Sequence, residues 1–200
     1  ALPDFQGRCG THVRGESSSG FGQKSYAWEI WNNENQDKDE SVLGLPAESD
    51  WALHGPWSDK SMMRNYLVYS TFGEMHQDWF APRVKFVEVF FNQESGQPVS
   101  YSDYRGVYLL VEKIKSSSSR LGLEKTNPLV TDPLLIQGGY IFKKDKASPG
   151  STAWTTASQG ISIQSSDPEA LSTAQRNYLQ GYINSFETAL YGASSTNPTT

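Results

Sequence analysis

The sequence predicts an α+β fold, with antiparallel strands joined by polar turns and two helices set among them. Three observations carry this expectation. Lys24 to Trp31 alternates, Tyr26, Trp28 and Ile30 facing one way and Ser25, Ala27, Glu29 and Trp31 the other, which is the period of a half-buried strand. Residues 84–92 and 107–114 are β-branched and aromatic runs on either side of a polar insert, Gln93 to Asp103, that contains Gly96 and Pro98 and reads as a hairpin turn. Two further stretches, Met62 to Phe72 and Leu171 to Leu190, repeat apolar residues at helical spacing. With 200 residues, 36% of them hydrophobic, the chain can build one domain with a substantial core, or two small ones.

Taken in order, Thr11 to Arg14 is a short first strand, and Gly15 to Gln23 a Gly/Ser loop that returns the chain into a strand opening at Lys24. Asn32 to Glu40 is polar, acidic and without an apolar period, so it belongs in solvent. Ser41 to Asn65 is punctuated by Pro46 and Pro56; within it Ser58 or Asp59 is a sound N-cap for a helix with apolar positions Met62, Met63, Tyr66, Leu67, Tyr69 and Phe72, weakened at its end by Gly73. The 84–92 run has the composition of a central strand. The serine run of Lys115 to Arg120 interrupts all periodicity and marks a boundary, dividing the chain into 1–115, 116–192 and a Ser/Thr/Asn-rich flexible tail, 193–200. After the boundary, Gly138-Gly139 turns into a strand near Ile141, and Gly160 to Gln164 gives another. The last helix runs from about Ser172 to Tyr191: Ser172 and Gln175 form a capping box, Leu171, Tyr178, Leu179, Tyr182, Ile183, Phe186 and Leu190 its stripe, and Gly192 its end.

Composition removes several classes of function. The net charge is −5 and Lys and Arg never cluster, so nucleic acid is not a partner. One cysteine, Cys9, excludes an intrachain disulfide framework and a Cys-rich zinc site. No stretch approaches the ~18–20 apolar residues of a membrane span. The N-terminus carries no leader pattern, and its start at Ala1 points to a mature or excised segment. His12, His54 and His76 lack ligand spacing and no Gly-x-Ser-x-Gly elbow occurs, leaving histidine-metal and ordinary serine-hydrolase chemistry unsupported. Glu34, Asp37, Asp39 and Glu40 read as a solvated acidic face.

The loop Arg14-Gly15-Glu16-Ser17-Ser18-Ser19-Gly20-Phe21-Gly22-Gln23-Lys24 is what chemistry would use. Its glycines permit φ > 0 and a close approach of backbone to ligand, and its hydroxyls can donate to anionic oxygens, so a phosphate suits it. Glu112, beside Lys113 at the end of an apolar strand, is either a charged group meeting a ligand or a salt bridge at a sheet end. The order of elements (hairpin with a Gly/Ser loop, lysine-started strand, helix, two antiparallel strands, linker) is that of the small lobe of a protein kinase.

The residues also resemble a family. Arg14-Gly15-Glu16-Ser17-Ser18, Lys24-Ser25-Tyr26, Leu45-Pro46, Ser49-Asp50-Trp51-Ala52-Leu53, Pro56 with Ser58-Asp59-Lys60, Arg64-Asn65, Gly106 to Ile114 and Gly138-Gly139-Tyr140-Ile141 are similar to the blocks of the CotH (spore coat protein H) kinase-like family, over about residues 11–190. The resemblance implies an atypical kinase small lobe, an antiparallel sheet plus one helix, followed by the start of a helical large lobe. It implies a secreted, spore-coat or envelope-associated enzyme that transfers the γ-phosphoryl group of ATP, with Mg²⁺, to Ser or Thr of protein substrates. By this carry-over Arg14, Ser17, Ser18 and Lys24 face the phosphates, and Arg64 and Glu112 support them; Lys143, Lys144 and Asp145 are secondary candidates. The family's catalytic and metal-binding aspartates lie in a Trp-Asp-x-Asp-like block that does not occur before Thr200, so no catalytic base or metal ligand is assigned here, the rest of the kinase domain is expected beyond Thr200, and the isolated chain is expected to be inactive. The alternatives are a non-catalytic pseudokinase scaffold and a carbohydrate or cell-surface binding module that uses Trp28, Trp31, Trp57 or Trp154.

Overall fold

Backbone pairing gathers the strands into two antiparallel sheets. A computed structural model describes residues 3–94, 96–124, 126–127, 129–145 and 150–192, and the chain divides into two compact units, Ala1–Ile114 and Lys115–Thr200. In the first, β1 (Arg8–Arg14), β2 (Ser25–Trp31), β3 (Asp50–His54), β4 (Val84–Phe90) and β5 (Tyr104–Glu112) form a sheet in the order β1-β2-β3-β5-β4, each pair antiparallel. One face carries Ile30, Trp51, Leu53, Tyr108, Leu110 and Val89, closed over by Val42 and Leu45. The other carries Ala52, Val84, Leu109 and Val111, on which Tyr66 and Tyr69 of helix α1 (Arg64–Met75) rest. The architecture is α+β, and this unit has the make-up of a kinase-like small lobe.

The local differences from expectation have physical causes. Strand β3 sits at the centre of the sheet, yet its Trp51, Ala52 and Leu53 are all buried, so burial on both faces erases the alternation that would reveal it. Conversely β4 is an edge strand rather than a central one; its burial is concentrated at Val84 and Val89, and Lys85 and a register shift between Val89 and Phe90 blunt the free edge. Strand β2 begins at Ser25, leaving Lys24 just outside it. Helix α1 begins at Arg64 and runs through Gly73 to Met75; no residue of it is fully buried, and Leu67 and Phe72 of the expected stripe are substantially exposed.

In the second unit β6 (Ile141–Lys144), β7 (Ala153–Thr155) and β8 (Ser162–Asp167) form a small antiparallel sheet in the order β6-β8-β7. Helix α2 (Thr173–Tyr191) packs Leu179 and Ile183 on Trp154 and Ile163. Its N-terminus has both halves of the capping box, Gln175 N–H donating to Ser172 Oγ (3.3 Å) and Ser172 N–H donating to Gln175 Oε1 (3.0 Å). Its buried positions are Gln175, Leu179, Ile183 and Glu187, whereas Tyr182, Phe186 and Leu190 lie outward. Trp154 is core, at 5% exposure, which removes it as a sugar platform; Trp28 packs against the first core and Trp31 covers Gly10. The expected tail, 193–200, lies outside the described residues.

Candidate functional site

Antiparallel pairing brings one end of each of β1, β2 and β3 together. Arg14 closes β1 opposite Ser25, and Tyr26 pairs with Leu53, so the next residue, His54, ends β3 at the same edge of the sheet. The Gly/Ser loop bridges Arg14 to Lys24 at this edge. Within it Ser17–Gly20 is a single 3-10 turn, in which Ser19 Oγ donates to Glu16 O (2.6 Å) and Phe21 N–H to Ser18 O (3.1 Å). Gly15 has φ +87°, and a Cβ there would lie 2.1 Å from Ser18 Oγ, so this residue must be glycine for the turn to fold back on Arg14.

A second segment meets the loop. Between β3 and α1 the chain passes through Gly55, Trp57, Asp59 and Lys60. Gly55 N–H donates to Ser25 Oγ at 3.0 Å. The Trp57 ring lies against Gly22, where an added Cβ would be 2.7 Å from the ring tip, and the Lys60 ammonium is 5.1 Å from the centre of the same ring. Asp59 organises the entry to α1: one oxygen accepts from Ser61 N–H (3.1 Å) and Ser61 Oγ (2.7 Å), the other from Arg64 N–H (2.9 Å). It therefore serves the helix N-terminus from five residues away, and the helix starts later than an Asp59 N-cap would dictate. The Ser61 hydroxyl, then the Arg64 amide, hold its carboxyl below the usual carboxylate range. The Arg64 guanidinium is mostly in solvent, 3.6 Å from Asp59 Oδ1.

His54 links the two segments electrostatically. Burial lowers its pKa and the Arg14 charge lowers it further, with Asp59 opposing, so it is neutral near pH 7. Arg14, His54, Asp59, Arg64, the serine turn and Lys24 thus share one end of the sheet, with Arg14 and Lys24 exposed. Sequence reasoning names Trp57 only as a possible sugar platform, and leaves its packing on Gly22 and the placement of His54 beside Arg14 undetected. The adjoining Asp50–Leu53 block, read as a strand, would have found them, because a β3 beside β2 delivers its following turn to the loop.

Glu112 is placed elsewhere. The register Thr11–Trp28–Trp51–Glu112 sets it three residues along the strands from the Arg14–Ser25 pair, about 10 Å toward the opposite end of the sheet. It is buried, and accepts from Arg83 Nε (2.8 Å) and Arg83 N–H (2.9 Å). Its neighbour Lys113 donates to Asp50 at 2.7 Å. Of the two readings, sheet-end salt bridge describes this contact. Lys143 pairs with Asp145 at 3.0 Å in the second unit, both about half exposed, and Lys144 lies beside them on β6.

The Arg14–Lys24 end fits polyphosphate: two exposed cations, a third beside Asp59, and the Ser17 and Ser18 hydroxyls. Among the described residues no group of three or more His, Cys, Asp or Glu side chains is placed to hold a metal ion. Nor, among them, is any helix long and apolar enough to cross a membrane.

A sheet of this order, with a helix on one face and a Gly/Ser hairpin loop at its end, is consistent with a kinase-like small lobe. The model of the family described as CotH kinase protein matches residues 11–199. The chain belongs to the CotH kinase family. Searches of curated proteins and of solved structures find no match to it.

Proposed function

We propose that the Arg14–Lys24 loop binds the phosphates of ATP, and that the chain is part of a CotH-type kinase that passes the γ-phosphoryl group to Ser or Thr of coat or other extracellular proteins. The observation that carries this reading is the convergence of Arg14, Lys24 and the Ser17–Gly20 turn with His54 and Arg64 at one edge of the sheet. Family membership supports phosphotransfer chemistry in general; nucleotide, metal, acceptor and compartment are this proposal's own.

In this reading Lys24 and Arg14 neutralise phosphate oxygens, and the Ser17 and Ser18 hydroxyls donate to them. Arg64, tethered to Asp59, supplies a further charge from the start of α1. Glu112 acts at a distance, by fixing Arg83 and the end of β5. Magnesium, when bound with the nucleotide, would neutralise charge developing on the transferred group; none of the described residues is assigned to it.

The test is ATP binding by calorimetry and thermal shift, with and without Mg²⁺. ATP should raise the melting temperature of the wild-type chain in a concentration-dependent way. Lys24→Met should weaken binding about 10- to 100-fold, the worth of one charge-assisted hydrogen bond. Equal ATP affinity for wild type and Lys24→Met would remove the loop from the nucleotide site.

A further inference from the structure

Lys24 lies outside β2 and is exposed, yet its backbone is held on several sides. Gln23 Nε2 donates to Val107 O on β5 at 2.8 Å. The same amide lies over Gly106, where an added Cβ would come within 3.1 Å of Nε2. Gly55, at the end of β3, lies under the carbonyls: a Cβ there would be 2.9 Å from Lys24 O, 3.1 Å from Gln23 O and 3.1 Å from Gln23 Cγ. Trp57 bounds Gly22 on one side of this segment, and Ser25 Oγ takes the Gly55 amide on the other. Gly106 on β5 and Gly55, the residue that follows β3, together make a side-chain-free seat. Gln23 is the side chain that fills it.

We propose that Gln23 is a positioning residue for Lys24. It transmits the rigid placement of β3 and β5 to a loop that β1 and β2 alone would define only at its ends. This inference rests on the nucleotide reading of the loop, because positioning matters only if Lys24 meets a ligand. The physical reason is general: a long, flexible ammonium arm gives directed binding only when the backbone beneath it is fixed, and a displacement of ~1 Å can cost up to about a hundredfold in function. Gln23→Met keeps the length of the side chain and removes the donor. Gly55→Ala keeps Gln23 intact and crowds the backbone it rests on.

Two readouts test this on the full chain. Tryptic cleavage of the Lys24–Ser25 bond reports whether the segment is seated, without any ligand; it should accelerate at least about tenfold in Gln23→Met and in Gly55→Ala relative to wild type, since proteolysis follows local opening. ATP affinity should fall about tenfold in Gln23→Met while its melting temperature stays within a degree or two of wild type. A cleavage rate in Gln23→Met equal to wild type would overturn the seating. Faster cleavage with unchanged ATP affinity would overturn the positioning role. Faster cleavage in a protein whose wild type binds no ATP would uphold the seating and sink the nucleotide reading instead.

Discussion

At the scale of the residue, His54 is the most informative group at the site. It is half-buried beside Arg14, and both influences depress its pKa. A histidine whose folded pKa is lowered contributes stability that is fully present above its unfolded value of about 6.5 and is lost as pH falls from there through the folded pKa. The imidazole resonances of His54 should therefore titrate below the ordinary histidine value of about 6.5 in a proton NMR titration. Phosphate or ATP at the Arg14 end should move the His54 midpoint upward, because an anion favours the imidazolium and offsets the Arg14 charge. A midpoint indifferent to ATP would place the anion elsewhere. This residue could not be singled out from sequence, where it was one of three histidines without spacing. Asp59 was legible as a helix-starting residue, and the side chain does serve that end; the detour through Ser61, which delays the helix to Arg64, was not, because it is a local hydrogen-bond choice competing with the helix.

Among the elements, α2 shows where periodicity succeeds and where it misleads. Its cap was legible, since Ser172 and Gln175 satisfy each other's orphan groups within four residues. Its buried face was displaced, because two polar residues occupy it. Burial would push the Glu187 carboxyl up, but the Thr156 hydroxyl (2.6 Å) and the Gln159 (3.2 Å) and Ser158 (3.1 Å) amides bring it below the usual range. The helix thereby ties the turn after β7, with Asn184 Oδ1 accepting from Ala157 N–H (3.1 Å) beside it. A lowered carboxylate pKa contributes stability present above the unfolded value of about 4.3 and lost as pH falls through the folded one. Glu187→Gln should lower the melting temperature at pH 7 by a few degrees and flatten the loss on acidification below about pH 4.5, followed by circular dichroism. A parallel acid profile for variant and wild type would remove Glu187 from that role. Strand β3 is the opposite case: five residues, Asp50–His54, whose three apolar positions Trp51, Ala52 and Leu53 follow one another without alternation. Only its neighbours on both sides identify it as a strand.

Over the whole molecule, α+β organisation and the pairing of the two hairpins could be read ahead, because each hairpin is a local object of two strands and a turn. The order β1-β2-β3-β5-β4 could not, since β3 joins β2 to β5 across 20 or more residues of chain and nothing in composition records that choice. Half of the site followed the same division. The loop was visible as a run of Gly and Ser; the wall it meets, His54 to Arg64, entered through long-range pairing. Glu112 is likewise decided by a partner, Arg83, 29 positions back in the chain.

The Arg14 end has a consequence for the behaviour of the protein in salt. A chain with net charge −5 ordinarily loses or gains little from added electrolyte at any one place. Here Arg14 and Lys24 close the two ends of one exposed loop, and the Arg14 charge already pushes His54 toward neutrality, so this edge carries unfavourable positive potential within an otherwise acidic molecule. Multivalent anions should relax it: at matched ionic strength, sulfate or pyrophosphate should raise the melting temperature more than chloride does, and Arg14→Gln should reduce that difference. An identical response in wild type and Arg14→Gln would mean that Arg14 takes no part in the anion response. Ion specificity, in a molecule of the wrong overall sign for it, is the outcome expected of this edge of the sheet.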